Sequence, residues 1–224
     1  MIHMKRILLI HLIAVFYILQ IQAQNVKIST IPYAMHFENK ALDYKILSEN
    51  HIRIVAPANT DLFISPDGGY AIDKSPRLIF KPDSDFILTA NITPDFKSKW
   101  DAGVLLIYND SKHFAKFCFE SDFKGQPRVV SVVCNDVADD CNSMAINNSQ
   151  VYYRIIGSAK RNTFGLYYSE NGKTWFPIRS FKLNKTDNLQ IGFSAQSPTG
   201  EKCSVDFSDI SFQSRKPKDD WVGE

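Results

Sequence analysis

Short runs rich in Ile, Val, Phe and Tyr alternate along the chain with clusters that favour turns: SPDGG, KPDSD, ITPDF, YNDSKH, FKGQP, SENGKT and SPTGE. No long segment carries the helical period. Many short strands at this spacing predict an all-β chain, a two-sheet antiparallel β-sandwich or jelly roll. The runs differ in how they alternate, and the difference is informative. In HIRIVA, Ile52 and Ile54 share one face and Arg53 takes the other. AGVLLIY is apolar on both faces, which predicts an inner strand covered on both sides. In FAKFCFE, side chains with period two put Ala115, Phe117 and Phe119 on one face. Phe114, Lys116, Cys118 and Glu120 fall on the other, which is expected to be an open outer surface. Asn171-Gly172, between two aromatic runs, predicts a hairpin with a primed turn.

The first residues follow a different pattern. Lys5 and Arg6 precede the apolar run ILLIHLIAVFYIL, and QIQAQN follows it. The run is about 13 residues, short of the roughly 20 that a bilayer span needs. A basic start, an apolar centre and a small residue at the junction describe a secretory signal peptide cut after Ala23. The expected organisation is therefore a signal peptide over 1–23, one domain over 24–213 and a polar tail over 214–224. The product is secreted or periplasmic, with no membrane span once the signal is removed. The net charge of +2 mixes both signs and shows no basic stripe, which argues against nucleic acid. Sixteen Phe suit a thick core.

An exported chain meets an oxidising space, so its four cysteines allow three pairings. Cys134 with Cys141 would close an acidic segment, CNDVADDCN; Cys118 and Cys203 either pair or stay as small buried residues. Asn135, Asp136, Asp139, Asp140 and Asn142 fit a polar turn, since such side chains bond nearby backbone amides. Calcium, which takes six to eight oxygens, is the alternative there, although the spacing is not that of an EF-hand. No other cofactor is called for, and the histidines show no zinc spacing.

Together, WDAGVLLIYND, HFAKFCFE, RVVSVVCNDVADD, YYRIIGSAKRNTFGLYYSENGKTW and LQIGFSAQSPTGEKCSVDFSDISF resemble a largely uncharacterised concanavalin A-like family that includes proteins labelled "regulation of enolase". The resemblance covers about Ile52 to Phe212 and implies a concanavalin A-like jelly roll of the kind seen in legume lectins and many glycanases. The family's Lys-x-Gly-x-Glu strand falls on Lys116, Cys118 and Glu120, with Cys118 replacing the small residue. Its Ser-Asp-Trp loop falls near Asp139, Asp140 and Cys141, without the Trp. The resemblance implies a fold and a face, not a reaction.

The expected ligand is a glycan or polysaccharide, held on an outer face by Lys116, Glu120, Asp140, Arg154, Tyr168 and Gln196, in a lectin-like module or an accessory to polysaccharide breakdown. Tyr152 shares the face of Arg154. The rival reading is a glycoside hydrolase with Glu120 as acid or nucleophile. A retaining enzyme needs two carboxyls about 5–5.5 Å apart. Glu120 and Asp122 form the one such pair, and Gly125 stands where a third carboxylate would be expected.

Overall fold

In a computed structural model, the described residues are 25–158 and 160–224. The segment read as a signal peptide lies outside them. Among the described residues no helix is long and apolar enough to cross a membrane. The chain is all-β. In sequence order the strands are β1 (His36–Glu38), β2 (Asp43–Ser48), β3 (His51–Pro57), β4 (Leu62–Ile64), β5 (Ala71–Asp73), β6 (Arg77–Phe80), β7 (Phe86–Pro94) and β8 (Ala102–Asp110). There follow β9 (His113–Ser121), β10 (Pro127–Asn135), β11 (Val137–Ala145), β12 (Val151–Ser158), β13 (Thr163–Ser169), β14 (Phe176–Lys182), β15 (Gln190–Gln196) and β16 (Lys202–Gln213). Seven form a first sheet in the order β1-β6-β15-β8-β9-β10-β11, and seven a second in the order β14-β13-β12-β7-β16-β3-β2. Strands β4 and β5 make a separate hairpin.

The core lies between the sheets and follows the alternation. Leu105, Ile107, Phe117, Phe119 and Phe193 point inward from the first sheet to meet Ile52, Ile54, Leu88, Tyr153 and Phe207 of the second. Phe117 stacks on Tyr153 with ring centroids 3.7 Å apart, and the Tyr153 hydroxyl donates to the Cys118 carbonyl at 2.8 Å. This ties the layers together at mid-sheet. AGVLLIY is indeed an inner strand, β8, buried along nearly its whole length.

The other face of β8 is covered as well. Val104, Leu106, Phe114, Cys118, Val130 and Val132 form a second apolar cluster outside the sandwich, and the β4–β5 hairpin closes it with Leu62, Phe63 and Ile64. The outer face of the first sheet is therefore not the open surface that alternation alone suggests. Alternation sets which way a side chain points; a hairpin more than thirty residues away in the chain decides whether water reaches it.

Two turns also differ from expectation. The Asn171-Gly172 segment joins β13 to β14 through residues 170–175, with Gly172 at φ 71° and Asn171 outside the positive region. Asn171 Oδ1 accepts from the Lys173 and Thr174 amides at 2.8 and 2.9 Å, so side-chain capping replaces the primed turn. The acidic segment is a tight turn at Asp136 (φ 72°) followed by strand β11. In the β10–β11 ladder Cys134 lies opposite Ala138 and Cys141 opposite Ser131. Cys134 and Cys141 then face opposite sides of one sheet, and a disulfide cannot join them. Cys118 belongs to the outer cluster and Cys203 to the core between the sheets, so all four thiols are free.

Candidate functional site

The outer face of the first sheet carries a line of polar groups on an apolar floor. Register aligns Gln196, Ala102 and Glu120 across β15, β8 and β9, and Lys116, Val132 and Asp140 across β9, β10 and β11. Lys116 Nζ donates to Asp61 Oδ1 at 2.7 Å and to Gln196 Oε1 at 3.1 Å. Gln196 Nε2 donates to the Trp100 carbonyl at 3.1 Å and faces Glu120 Oε2 at 3.4 Å. Lys116 is 3 % exposed and Glu120 7 %. Asp61 sits just ahead of β4, so the lysine also clamps the covering hairpin. Arg77 clamps its other end, bonding Asp73 Oδ1 at 2.5 Å, Glu38 Oε2 at 3.0 Å and the Tyr108 hydroxyl at 3.0 Å.

The electrostatics follow from this burial. Burial works against the Lys116 charge, but Asp61, Cys118 and Glu120 together outweigh it and hold the ammonium above the usual lysine range. Among the described residues no cation is in hydrogen-bond contact with Glu120. Burial pushes its carboxyl up to about 8 against the pull of Lys116, with Asp61 and Asp140 adding to the rise. Glu120 is thus neutral at pH 7 and keeps an O–H to give. Asp140 is exposed at its rim but walled on the sheet side; burial raises its carboxyl too, and Lys116 opposes the rise.

The mouth of this face is marked by Trp100, half-buried and held at φ 70°. For a bulky side chain that conformation is a true outlier, kept because neighbours over-determine it. Its amide donates to the Ser121 carbonyl at 2.7 Å while its own carbonyl accepts from Gln196. The sequence reading missed Trp100 and Asp61. Trp100 had a signal, as a lone indole in a polar loop before the inner strand. Asp61 had none, because only tertiary structure brings it to Lys116.

The six residues expected in one site divide between two. Lys116, Glu120 and Gln196 form the buried network, and Asp140 lies on its rim. Arg154 lies on the outer face of the second sheet. There residues 216–224, part of the polar tail expected over 214–224, fold back over it. Arg154 Nη1 donates to the Val222 and Gly223 carbonyls at 3.2 and 3.1 Å, and its guanidinium stacks 3.8 Å from the Trp175 ring. Tyr152 shares that face, bonded to Asp209 at 2.8 Å. Tyr168 aligns with Tyr153, turns towards the core side and packs on Phe176. Asp122 does not join Glu120: it accepts the Lys124 and Gln126 amides at 2.8 and 3.0 Å and two Arg128 nitrogens at 3.1 Å. Asp139 turns to the opposite face from Asp140 and pairs with Arg179 at 2.6 Å, so the acidic side chains do not converge. Among the described residues no group of three His, Cys, Asp or Glu is placed to hold a metal.

The model of a family described as a protein of unknown function, DUF1349, matches residues 37–215. The chain belongs to that family. No curated protein matches it by sequence. Among solved structures, a functionally unknown protein from Saccharomyces cerevisiae superposes with a TM-score of 0.74 at 19% identity, over 85% of this chain and 99% of that one. A xylan beta-1,4-xylosidase from Bacillus halodurans gives 0.59 at 14% identity, over 73% of this chain but only 32% of the enzyme. A legume lectin-like domain from Entamoeba histolytica gives 0.50 at 12% identity, over 81% and 90%. At these identities the likeness is one of fold. That fold is a two-sheet antiparallel sandwich of the jelly-roll kind.

Proposed function

We propose that this DUF1349 protein is an exported carbohydrate-binding jelly roll whose glycan lies at the mouth of the first sheet's outer face, against Trp100, Phe63 and Asp140, with one hydroxyl reaching Glu120. The observation that carries this is the Asp61–Lys116–Gln196–Glu120 network set into an otherwise apolar sheet face. Buried polar groups are normally fully satisfied. Here, among the described residues, Glu120 accepts only from Gln196 Nε2, at 3.4 Å on Oε2, and keeps 7 % exposure, so its other oxygen is open to an outside partner. A sugar hydroxyl both donates and accepts, and so matches a neutral carboxyl beside an ammonium, while a half-buried indole offers the plane on which a sugar ring stacks. The lectin-like and xylosidase neighbours support the choice of ligand class, and the N-terminal pattern supports export.

Binding is read by glycan array and then by calorimetry. Glu120→Gln keeps the shape of the side chain, and Trp100→Gly suits the backbone at φ 70° while removing the ring. Each is expected to weaken binding at least tenfold with the fold intact by circular dichroism. Unchanged affinity in both variants would discard the site. EDTA is expected to leave affinity unchanged, and a calcium-dependent loss would reassign the role of Asp140. Mass spectrometry of the exported protein should find it starting at Gln24.

One observation favours the hydrolase reading. A carboxyl raised to about 8 is protonated at neutral pH, as a general acid must be. Against it, the partner that retaining chemistry requires, Asp122, is locked in a turn. New reducing ends from any polysaccharide, abolished in Glu120→Gln, would decide for the enzyme.

A further inference from the structure

Beside Trp100, three loops at one end of the sandwich enclose a groove of about 460 Å³ lined by Phe96, Lys97, Lys99, Lys124, Gly125 and Thr199, among others. They follow β7, β9 and β15. The second and third are the strands that carry Glu120 and Gln196, and Ser121, next to Glu120, forms part of the groove wall. Ser121 adjoins Glu120 along the chain and Lys99 adjoins Trp100, which sets the groove next to the site described above.

Its charge is one-sided for a structural reason. The nearby carboxylates are spent inward. Asp101, fully buried, accepts the Lys97 and Ser98 amides at 3.0 and 2.8 Å and the Ser197 hydroxyl at 2.7 Å. Asp122 is bound into its turn by two amides and Arg128. Asp95 holds Lys97 at 2.7 Å, and Glu201 is exposed nearby without lining the groove. Among the described residues Lys99 and Lys124 have no carboxylate partner, and no carboxylate lines the groove. Phe123, 56 % exposed with Lys124 Nζ 5.4 Å from its ring centroid, borders it with an aromatic plane.

We infer that the glycan is anionic, a uronate- or sulfate-bearing polysaccharide whose acidic groups meet Lys99 and Lys124 while the adjoining unit passes Trp100 to Glu120. This rests on the carbohydrate-binding reading and adds to it the chemical class of ligand. Two ammonium groups in an open groove attract a polyanion through a field that salt screens within about 8–10 Å, so affinity should fall with ionic strength.

The test compares polygalacturonate, alginate and a sulfated glycosaminoglycan with xylan and mannan, for the wild type and for Lys99→Glu/Lys124→Glu. Both positions are exposed loop sites, so folding is expected to persist. The wild type should prefer an acidic polymer at least tenfold at low salt, and the double variant should lose that preference and its salt dependence. Binding to neutral xylan or mannan alone, unaffected by the double substitution, overturns this inference and leaves the carbohydrate-binding reading standing. Binding to no polysaccharide of either kind overturns both. Equal binding of single-stranded DNA would show a general polyanion surface and also overturn it.

Discussion

Glu120 supplies the sharpest test of the site, because its neutrality is a matter of stability as well as recognition. Its proton affinity is raised in the folded protein from 4.5 to about 8. A raised carboxyl means that the native state binds the proton more tightly than the unfolded chain does. Stability is then full below pH 4.5, falls as pH rises, and levels off above 8. Each tenfold in proton affinity is about 1.4 kcal/mol. The whole displacement is therefore on the order of 5 kcal/mol, of which about 4 kcal/mol falls between pH 5 and 9. Against a total of about 5–15 kcal/mol for an ordinary domain, that loss is plainly measurable. Glu120→Gln removes the titration and leaves the shape. Urea unfolding of both proteins from pH 5 to 9 should show near-equal stability at pH 5, with the wild type falling progressively below the variant towards pH 9. The difference cancels the other titrating groups, which the two proteins share. Parallel profiles would mean that water reaches Glu120 freely, and the argument from a desolvated neutral carboxyl would fail.

Other perturbations test the frame around it. Lys116→Met leaves Asp61 and Gln196 facing each other without their cation; the loss should be on the order of 3 kcal/mol, and Asp61→Asn in the same chain should restore part of it. Gly192→Ala would place a Cβ 2.0 Å from the Leu78 carbonyl oxygen on the neighbouring strand, so a thermal melt should show about 3 kcal/mol lost or no folded protein at all. Thiol titration of the native protein should find Cys141 alone reactive, with Cys118, Cys134 and Cys203 appearing only on unfolding; a resistant pair under non-reducing denaturation would refute the free-thiol assignment.

Much was legible along the chain. Period-two alternation assigned Phe117 and Phe119 to the core and Lys116 and Glu120 to the opposite face, because β geometry makes side-chain direction a local property. The doubly apolar β8 also announced a cover on its far side. The acidic segment misled for an equally local reason: Asn and Asp favour turns, yet the edge strand β11 tolerates them because its exposed faces meet water. Cys134 and Cys141, close in sequence, are set apart by the parity of the ladder they occupy.

The order of residues along the chain set the short alternating strands, the sandwich they build, and the face on which Phe117, Phe119, Lys116 and Glu120 stand. These depend on neighbours one or two positions away. What covers that face depends on segments distant along the chain. The β4–β5 hairpin lies over it, Asp61 reaches Lys116 from 55 positions away, and the chain's last residues wrap Arg154 on the opposite sheet. Solvation is set by whatever packs above a side chain, which its own local pattern does not encode. The same carboxyl is therefore an ordinary surface charge in the strand and a neutral, buried donor in the fold.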